Sequence, residues 1–151
     1  MVWMMVQPNG LLSFRFLEGK VKSMNYINLT KHKIVPILFL NYGKDFYFQQ
    51  DNAPIHKSRA SMDFFKNSEI SILDWPPRSP DLNIVEDMWK FISDKVYNGP
   101  QFQTKEELRQ SIKKVIDQIN SNKRDVIFGL YQSFRKRLCT VIEKCGDLYN
   151  K

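Results

Sequence analysis

Apolar positions along the 151-residue chain change their spacing several times, and each change predicts an element. Met1–Val6 is apolar and β-favouring throughout, Pro8-Asn9-Gly10 is a turn signal, and Leu11–Leu17 predicts a second strand ending at Glu18-Gly19. The two should pair as a hairpin. Lys22 to Leu40 predicts a helix interrupted or kinked near Pro36, because proline lacks an N–H and crowds the preceding turn. After the turn Asn41-Tyr42-Gly43-Lys44, the aromatic run Asp45–Gln50 predicts a strand that ends at Asp51-Asn52. Ser58–Asn67 predicts a helix, Ile70–Leu73 a strand, and Trp75-Pro76-Pro77-Arg78-Ser79-Pro80 a proline-rich loop.

From there the pattern is helical. Val85, Met88, Trp89, Ile92 and Val96 repeat at the helical period over Ile84–Tyr97. Thr104-Lys105-Glu106-Glu107 is a capping box that opens a helix running through Ile119. Two short helices, about Asp125–Leu130 and Gln132–Lys144, are expected last, stopped by Gly146. The order implies an α/β fold with a helical C-terminal extension, divided as a core over 1–97 and an extension over 98–151.

The chain is long enough for one domain with a real core, and a composition of 42% hydrophobic and 26% charged residues excludes extensive disorder. Net charge is +7 and unevenly placed: residues 101–151 hold 11 Lys/Arg against 6 Asp/Glu, and residues 1–100 hold 12 against 10. A polyanionic partner is therefore plausible. Cys139 and Cys145 make no disulfide framework and lack a neighbouring His for zinc, which suits a reduced, intracellular, soluble protein. The longest apolar run, Ile34–Leu40, is too short to span a bilayer, so no membrane partner is expected.

Two carboxylates stand out by position. Asp51 lies where a strand should give way to a turn, a common place for ligand contacts in α/β proteins, although Asp-Asn is also an ordinary turn pair. With Val85 at zero and about 100° per residue, the apolar residues of its helix fall within about 60°, Glu86 at about 100° and Asp87 at about 200°. Glu86 is thus expected at the border of the buried stripe and Asp87 toward solvent. A structural reading competes: Asn83 as N-cap makes Glu86 the N3 residue of a capping box, and Glu86 and Lys90 form an i,i+4 pair.

The surrounding residues decide which reading to follow. Gln50-Asp51-Asn52-Ala53-Pro54-Ile55-His56 precedes Trp75-Pro76-Pro77-Arg78-Ser79-Pro80-Asp81-Leu82-Asn83-Ile84-Val85-Glu86-Asp87-Met88-Trp89, with 34 residues between Asp51 and Glu86. Both segments and their separation resemble the Tc/mariner transposases, whose corresponding motifs carry the second and third catalytic carboxylates. The likeness extends more weakly to the Met1–Val6 strand and to Ser133-Phe134-Arg135-Lys136-Arg137-Leu138. It implies an RNase H-like fold, incomplete at its N-terminus, and a chemistry of DNA cleavage and strand transfer. Asp51 and Glu86 would be catalytic residues and ligands of two Mg²⁺ or Mn²⁺ ions, since hard cations take oxygen donors. DNA, as transposon ends and target, is the implied partner, with a homodimer in the full-length form and a nuclear location.

The same resemblance calls for a first aspartate on a strand ahead of Met1–Val6. The only acidic residues before Asp51 are Glu18 and Asp45, neither in a position to replace it. The isolated chain is expected to be inactive on that ground, and its hairpin marginally stable for want of a neighbouring strand. Ile84 stands where the family usually has proline at the first helical position. His56 is a candidate for positioning DNA or water, or for a structural hydrogen bond. Trp75 is a loop anchor or a stacking platform, Arg78 a phosphate contact, and Arg135, Lys136 and Arg137 a phosphate-binding group or a solvated helix face. A DNA-binding protein without catalysis is the alternative. An integrase- or ribonuclease-type enzyme on the same fold fits less well, because the tryptophan–proline–proline and SPDLN segments argue against it.

Overall fold

The computed structural model describes residues 1–99 and 101–146. The chain divides into two units, one of Met1 with Leu17–Arg78, the other of Val2–Phe16 with Ser79–Lys151.

The second unit is built on a hairpin. Strands β1 (Val2–Val6) and β2 (Leu12–Phe16) pair antiparallel with Val2 opposite Phe16 and Val6 opposite Leu12. Their turn follows from Pro8-Asn9-Gly10: the Gly10 N–H donates to the Gln7 carbonyl at 3.0 Å, and Gly10 takes φ +79°. That is a three-residue loop with a left-handed third position, which only glycine enters without strain. Against the hairpin lie α5 (Ile84–Tyr97), α6 (Lys105–Asn122) and α7 (Arg124–Glu143). Met4 and Leu12 join Met88, Ile92, Val96, Ile116, Ile119 and Ile127 in one buried cluster.

Near its turn, the hairpin has outward-facing backbone groups of Leu12 and Val6 met by side chains. The Asn120 amide accepts from Leu12 N–H at 2.8 Å and donates to the Leu12 carbonyl at 3.0 Å. On the other edge, the Tyr131 hydroxyl donates to the Val6 carbonyl at 3.2 Å. Side-chain bonding of this kind blunts an edge that would otherwise invite another strand.

The final helix differs from expectation. It is one continuous element of 20 residues, not two short ones, with Gly129 inside it. A glycine costs a helix only about 1 kcal/mol, too little to break one already anchored by Ile127 in the core. The helix ends before Gly146, as expected: Cys145, φ +55°, and Gly146, φ +98°, both take positive φ, and the Gly146 N–H donates back to the Val141 carbonyl at 2.9 Å.

In the first unit, α1 (Ser23–Leu29) and α2 (Val35–Tyr42) are joined by a π-helical turn over Thr30–Ile34. The Val35 N–H reaches back to the Thr30 carbonyl, five residues earlier. The expected interruption therefore lies ahead of Pro36, where the wider turn makes room for its ring. Helix α3 (Pro54–Lys57) leads into α4 (Arg59–Asn67), capped by the Ser58 hydroxyl accepting from Ser61 N–H. Tyr26, Phe48 and Phe65 form an aromatic core, Phe48 stacking on Phe65 at 5.5 Å.

The two further strands expected over Asp45–Gln50 and Ile70–Leu73 reduce to a single parallel bridge, Phe48 to Ile72. Phe48 N–H donates to Ser71 at 2.8 Å, and Leu73 N–H donates to Phe48 at 3.1 Å. The alternation is strand-like, with Tyr47 exposed between half-buried Phe46 and buried Phe48. Alternation reports a half-buried pleated surface, whereas a ladder needs a neighbour's backbone at every step.

Candidate functional site

Asp51 follows the Phe48 bridge by three residues and opens the turn into α3. Its Oδ1 accepts from the Ala53 N–H at 3.0 Å, a turn in which the aspartate imitates a backbone carbonyl. The same oxygen lies 2.6 Å from His56 Nδ1, so the ring proton sits on Nδ1 when the carboxylate is ionised. The Asp51 side chain is 57% exposed and that of His56 16%. His56 packs on the Tyr26 ring at 4.4 Å, which fixes the imidazole plane. Tyr26 in turn donates to the Gln50 side chain. Burial pushes the Tyr26 phenol well above its ordinary pKa, with Thr30 opposing and the Asp51 charge reinforcing that shift. Tyr26 is therefore a neutral donor at physiological pH. The result is a carboxylate with one oxygen oriented by two partners.

Asn52 donates from its side chain to the Trp75 carbonyl at 2.9 Å, tying the aspartate turn to the start of the proline-rich loop. Trp75 itself is buried at 8% exposure, which makes it the anchor of that loop and leaves no ring face for base stacking. Arg78 is exposed and left-handed, φ +55°.

In the second unit Asn83 caps α5, its side chain accepting from Val85 N–H at 3.3 Å. Glu86 and Asp87 occupy the first helical turn, where negative charge suits the exposed N–H groups and the helix dipole. Glu86 is exposed, and its carboxylate has no hydrogen bond or ion pair among the described residues. Neither the capping box nor the Lys90 pair forms.

The helix-wheel expectation for Asp87 is overturned. Asp87 is half-buried and pairs at 2.6 Å with Arg137, whose side chain is 4% exposed. The buried stripe of α5 runs through Ile84, Met88, Ile92 and Val96. Its centre lies between Met88 and Ile92, about 40° from Val85 on the side toward Asp87. Arg137 is consequently no surface cation: it also donates to the Asp81 carbonyl at 3.0 Å and to Ser133 Oγ at 3.0 Å. Arg135 and Lys136 are exposed. A signal for Arg137 exists in the sequence, because it falls in register with Ile127, Leu130, Phe134 and Val141 on the apolar stripe of α7.

Among the described residues, no three His, Cys, Asp or Glu side chains form a group that could hold a metal ion. Asp51 and Glu86 are nevertheless hard oxygen donors with accessible atoms. Mg²⁺ commonly takes only one or two carboxylates and completes its shell with water and substrate phosphate. Also among the described residues, no helix is long and apolar enough to cross a membrane.

Comparison with known proteins places these features in a family. Residues 1–109 match the model of the DDE superfamily endonucleases. The chain is 35% identical to the transposable element Tc3 transposase of Caenorhabditis elegans over 151 residues, covering 99% of this chain and 45% of that protein. It is 27% identical to the transposable element Tcb2 transposase of Caenorhabditis briggsae, covering 97% of this chain and 52% of the relative. The fold is that of the Mos1 transposase catalytic domain solved with raltegravir and Mg, with a TM-score of 0.79 at 14% identity over 99% of this chain and 76% of that one. The Mos1 mariner paired end complex with Mn matches with a TM-score of 0.79 at 18% identity, covering 99% of this chain and 44% of that chain.

The chain belongs to the DDE superfamily endonucleases, within their Tc-like transposase family, and has the mixed α/β, RNase H-like architecture of the mariner catalytic domain. It spans about half the length of the Tc3 and Tcb2 transposases.

Proposed function

We propose that this chain supplies two carboxylates, Asp51 and Glu86, to divalent-metal-dependent cleavage and joining of DNA strands at transposon ends and target DNA. The observation that carries the reading is the state of the Glu86 carboxylate. It is exposed and, among the described residues, unpartnered on the first turn of α5, in a chain of the DDE superfamily endonucleases. Mg²⁺ or Mn²⁺ would supply charge stabilisation at the scissile phosphate and activation of the attacking oxygen. The chain's own residues orient the acids. Ala53 and His56 hold one Asp51 oxygen and leave the other available, while Asn83 sets the start of the helix that presents Glu86. In the same reading residues 1–97 are the catalytic core and 98–151 a helical extension, with exposed Arg78, Arg135 and Lys136 contacting DNA phosphates. The location would be nuclear, and the full-length form dimeric.

The test is a Mn²⁺ titration of the full chain with a short DNA duplex, read by electron paramagnetic resonance as loss of the free-ion signal. Asp51→Asn and Glu86→Gln should each weaken binding, with Glu86→Gln lowering the melting temperature by only about 1–4 °C, because among the described residues its carboxylate has no partner and only the helix dipole loses by the change. Unaltered Mn²⁺ binding in the double variant would overturn the proposal. If DNA affinity also stayed unchanged and metal-independent, the chain would be a DNA binder without catalysis.

A further inference from the structure

Arg137 bonds three groups at once, and two of them bracket the helix start that carries Glu86. Its Nη1 donates to the backbone carbonyl of Asp81, two residues before the N-cap Asn83. The same nitrogen donates to Asp87 Oδ2 at 2.6 Å, one residue beyond Glu86. Nη2 donates to Ser133 Oγ at 3.0 Å, and that hydroxyl donates to the Leu130 carbonyl at 2.8 Å, so the guanidinium is braced by its own helix. Glu86 lies inside the bracket and has no side-chain partner of its own among the described residues. Only its backbone can aim it.

We propose that Arg137 is a positioning residue: it clamps the segment from Asp81 to Asp87 and thereby sets where the Glu86 carboxylate points. The inference rests on the reading of Glu86 as a metal ligand.

The chemistry favours arginine at this place. A planar guanidinium can meet a carbonyl and a carboxylate together in fixed directions, which an ammonium on a flexible stem cannot. Burial makes the arrangement stiff, since removing one partner would strand the other's charge away from water. Groups behind a metal ligand commonly act this way, fixing its orientation without touching the metal. The side chain also lies on the apolar stripe of α7, where a solvated cation has no place and a committed one does.

The experiment compares the whole 151-residue chain with its Arg137→Met, Arg137→Lys and Asp87→Asn variants. Amide hydrogen exchange is followed by NMR, and Mn²⁺ binding by paramagnetic resonance with a DNA duplex present. Arg137→Met and Asp87→Asn should speed exchange at Val85 and Glu86 by about tenfold more than at Met88–Val96, and weaken Glu86-dependent Mn²⁺ binding by about tenfold. Arg137→Lys should recover part of both losses. Adding Glu86→Gln to Arg137→Met should weaken Mn²⁺ binding less than Glu86→Gln does alone. A uniform rise in exchange along α5, or faster exchange at Val85 and Glu86 with unchanged Mn²⁺ affinity, would overturn the positioning role. If Arg137→Met fails to fold, Asp87→Asn decides, being isosteric and removing the charge alone. Failure of the underlying reading has its own signature: Mn²⁺ binding by the unaltered chain would be indifferent to Glu86→Gln. The exchange pattern would then judge the clamp by itself.

Discussion

Asn120 offers a test of how this fold keeps its hairpin in place. Its amide makes two hydrogen bonds to the Leu12 backbone, 2.8 and 3.0 Å long, and Leu12 is 4% exposed. Asn120→Ala removes both. Each bond contributes about 1 kcal/mol net, and an N–H or carbonyl left dry adds about 1 kcal/mol more. The expected loss is about 2–4 kcal/mol, or roughly 5–15 °C in melting temperature for a chain of this size. Asn120→Asp is the sharper variant. It keeps the acceptor facing Leu12 N–H but sets a second acceptor against the Leu12 carbonyl, so it should be no more stable than Asn120→Ala at neutral pH. Urea denaturation followed by far-ultraviolet circular dichroism measures all three proteins. A loss below about 0.5 kcal/mol for Asn120→Ala, the range of ordinary surface changes, would refute the reasoning. So would an Asn120→Asp chain as stable as the parent.

Other substitutions follow from the same geometry. Gly10→Ala should destabilise by more than about 1 kcal/mol in thermal melts, because Gly10 has φ +79° and an added Cβ would lie 2.9 Å from Arg124 Cβ. Gly129→Ala should do the opposite, since nothing lies within 4 Å of its Cβ position in the middle of α7. A gain of about 0.5–1 kcal/mol is expected, and a lower melting temperature would contradict it. Lys44 holds the Glu69 carboxylate below the usual carboxylate range, by its hydrogen bond first and its charge second. A depressed pKa contributes stability above the unfolded value and loses it as pH falls through the folded one. Glu69→Gln should therefore cost a little stability at neutral pH and nothing in strong acid, as melts at both pH values would read. The effect stays small because the pair is exposed to solvent and salt.

Much of the local structure is legible in the residues. The helix over Ile84–Tyr97 and the Thr104 cap follow from spacing and capping chemistry, which act over a few residues. The hairpin turn follows from Pro8-Asn9-Gly10 for the same reason. The family is legible too, because Asp51 and Glu86 sit in long motifs at a characteristic separation. The departures share one cause. Over Asp45–Gln50 and Ile70–Leu73 the alternation does mark a pleated surface, but the extent of the ladder depends on backbone far away in sequence. Dividing α7 into two helices gives Gly129 a weight that packing outweighs. The exchanged places of Glu86 and Asp87 come from centring the buried stripe on Val85, when burial centres nearer Met88.

By itself, then, the sequence determined the elements whose physics is local: helix periods, the Asn83 and Thr104 caps, the glycine turn and the two acid-bearing motifs. Tertiary structure alone decided which polar side chains are spent inside. Arg135, Lys136 and Arg137 are adjacent and equally basic in the chain, yet two are exposed and the third is buried against Asp87. Asn120 and Tyr131 look like ordinary helical polar residues until the hairpin edges come within reach of them. The physical reason is that burying a charge or an amide is unfavourable until a matching partner arrives, and the partners here lie 50, 108 and 125 residues away along the chain.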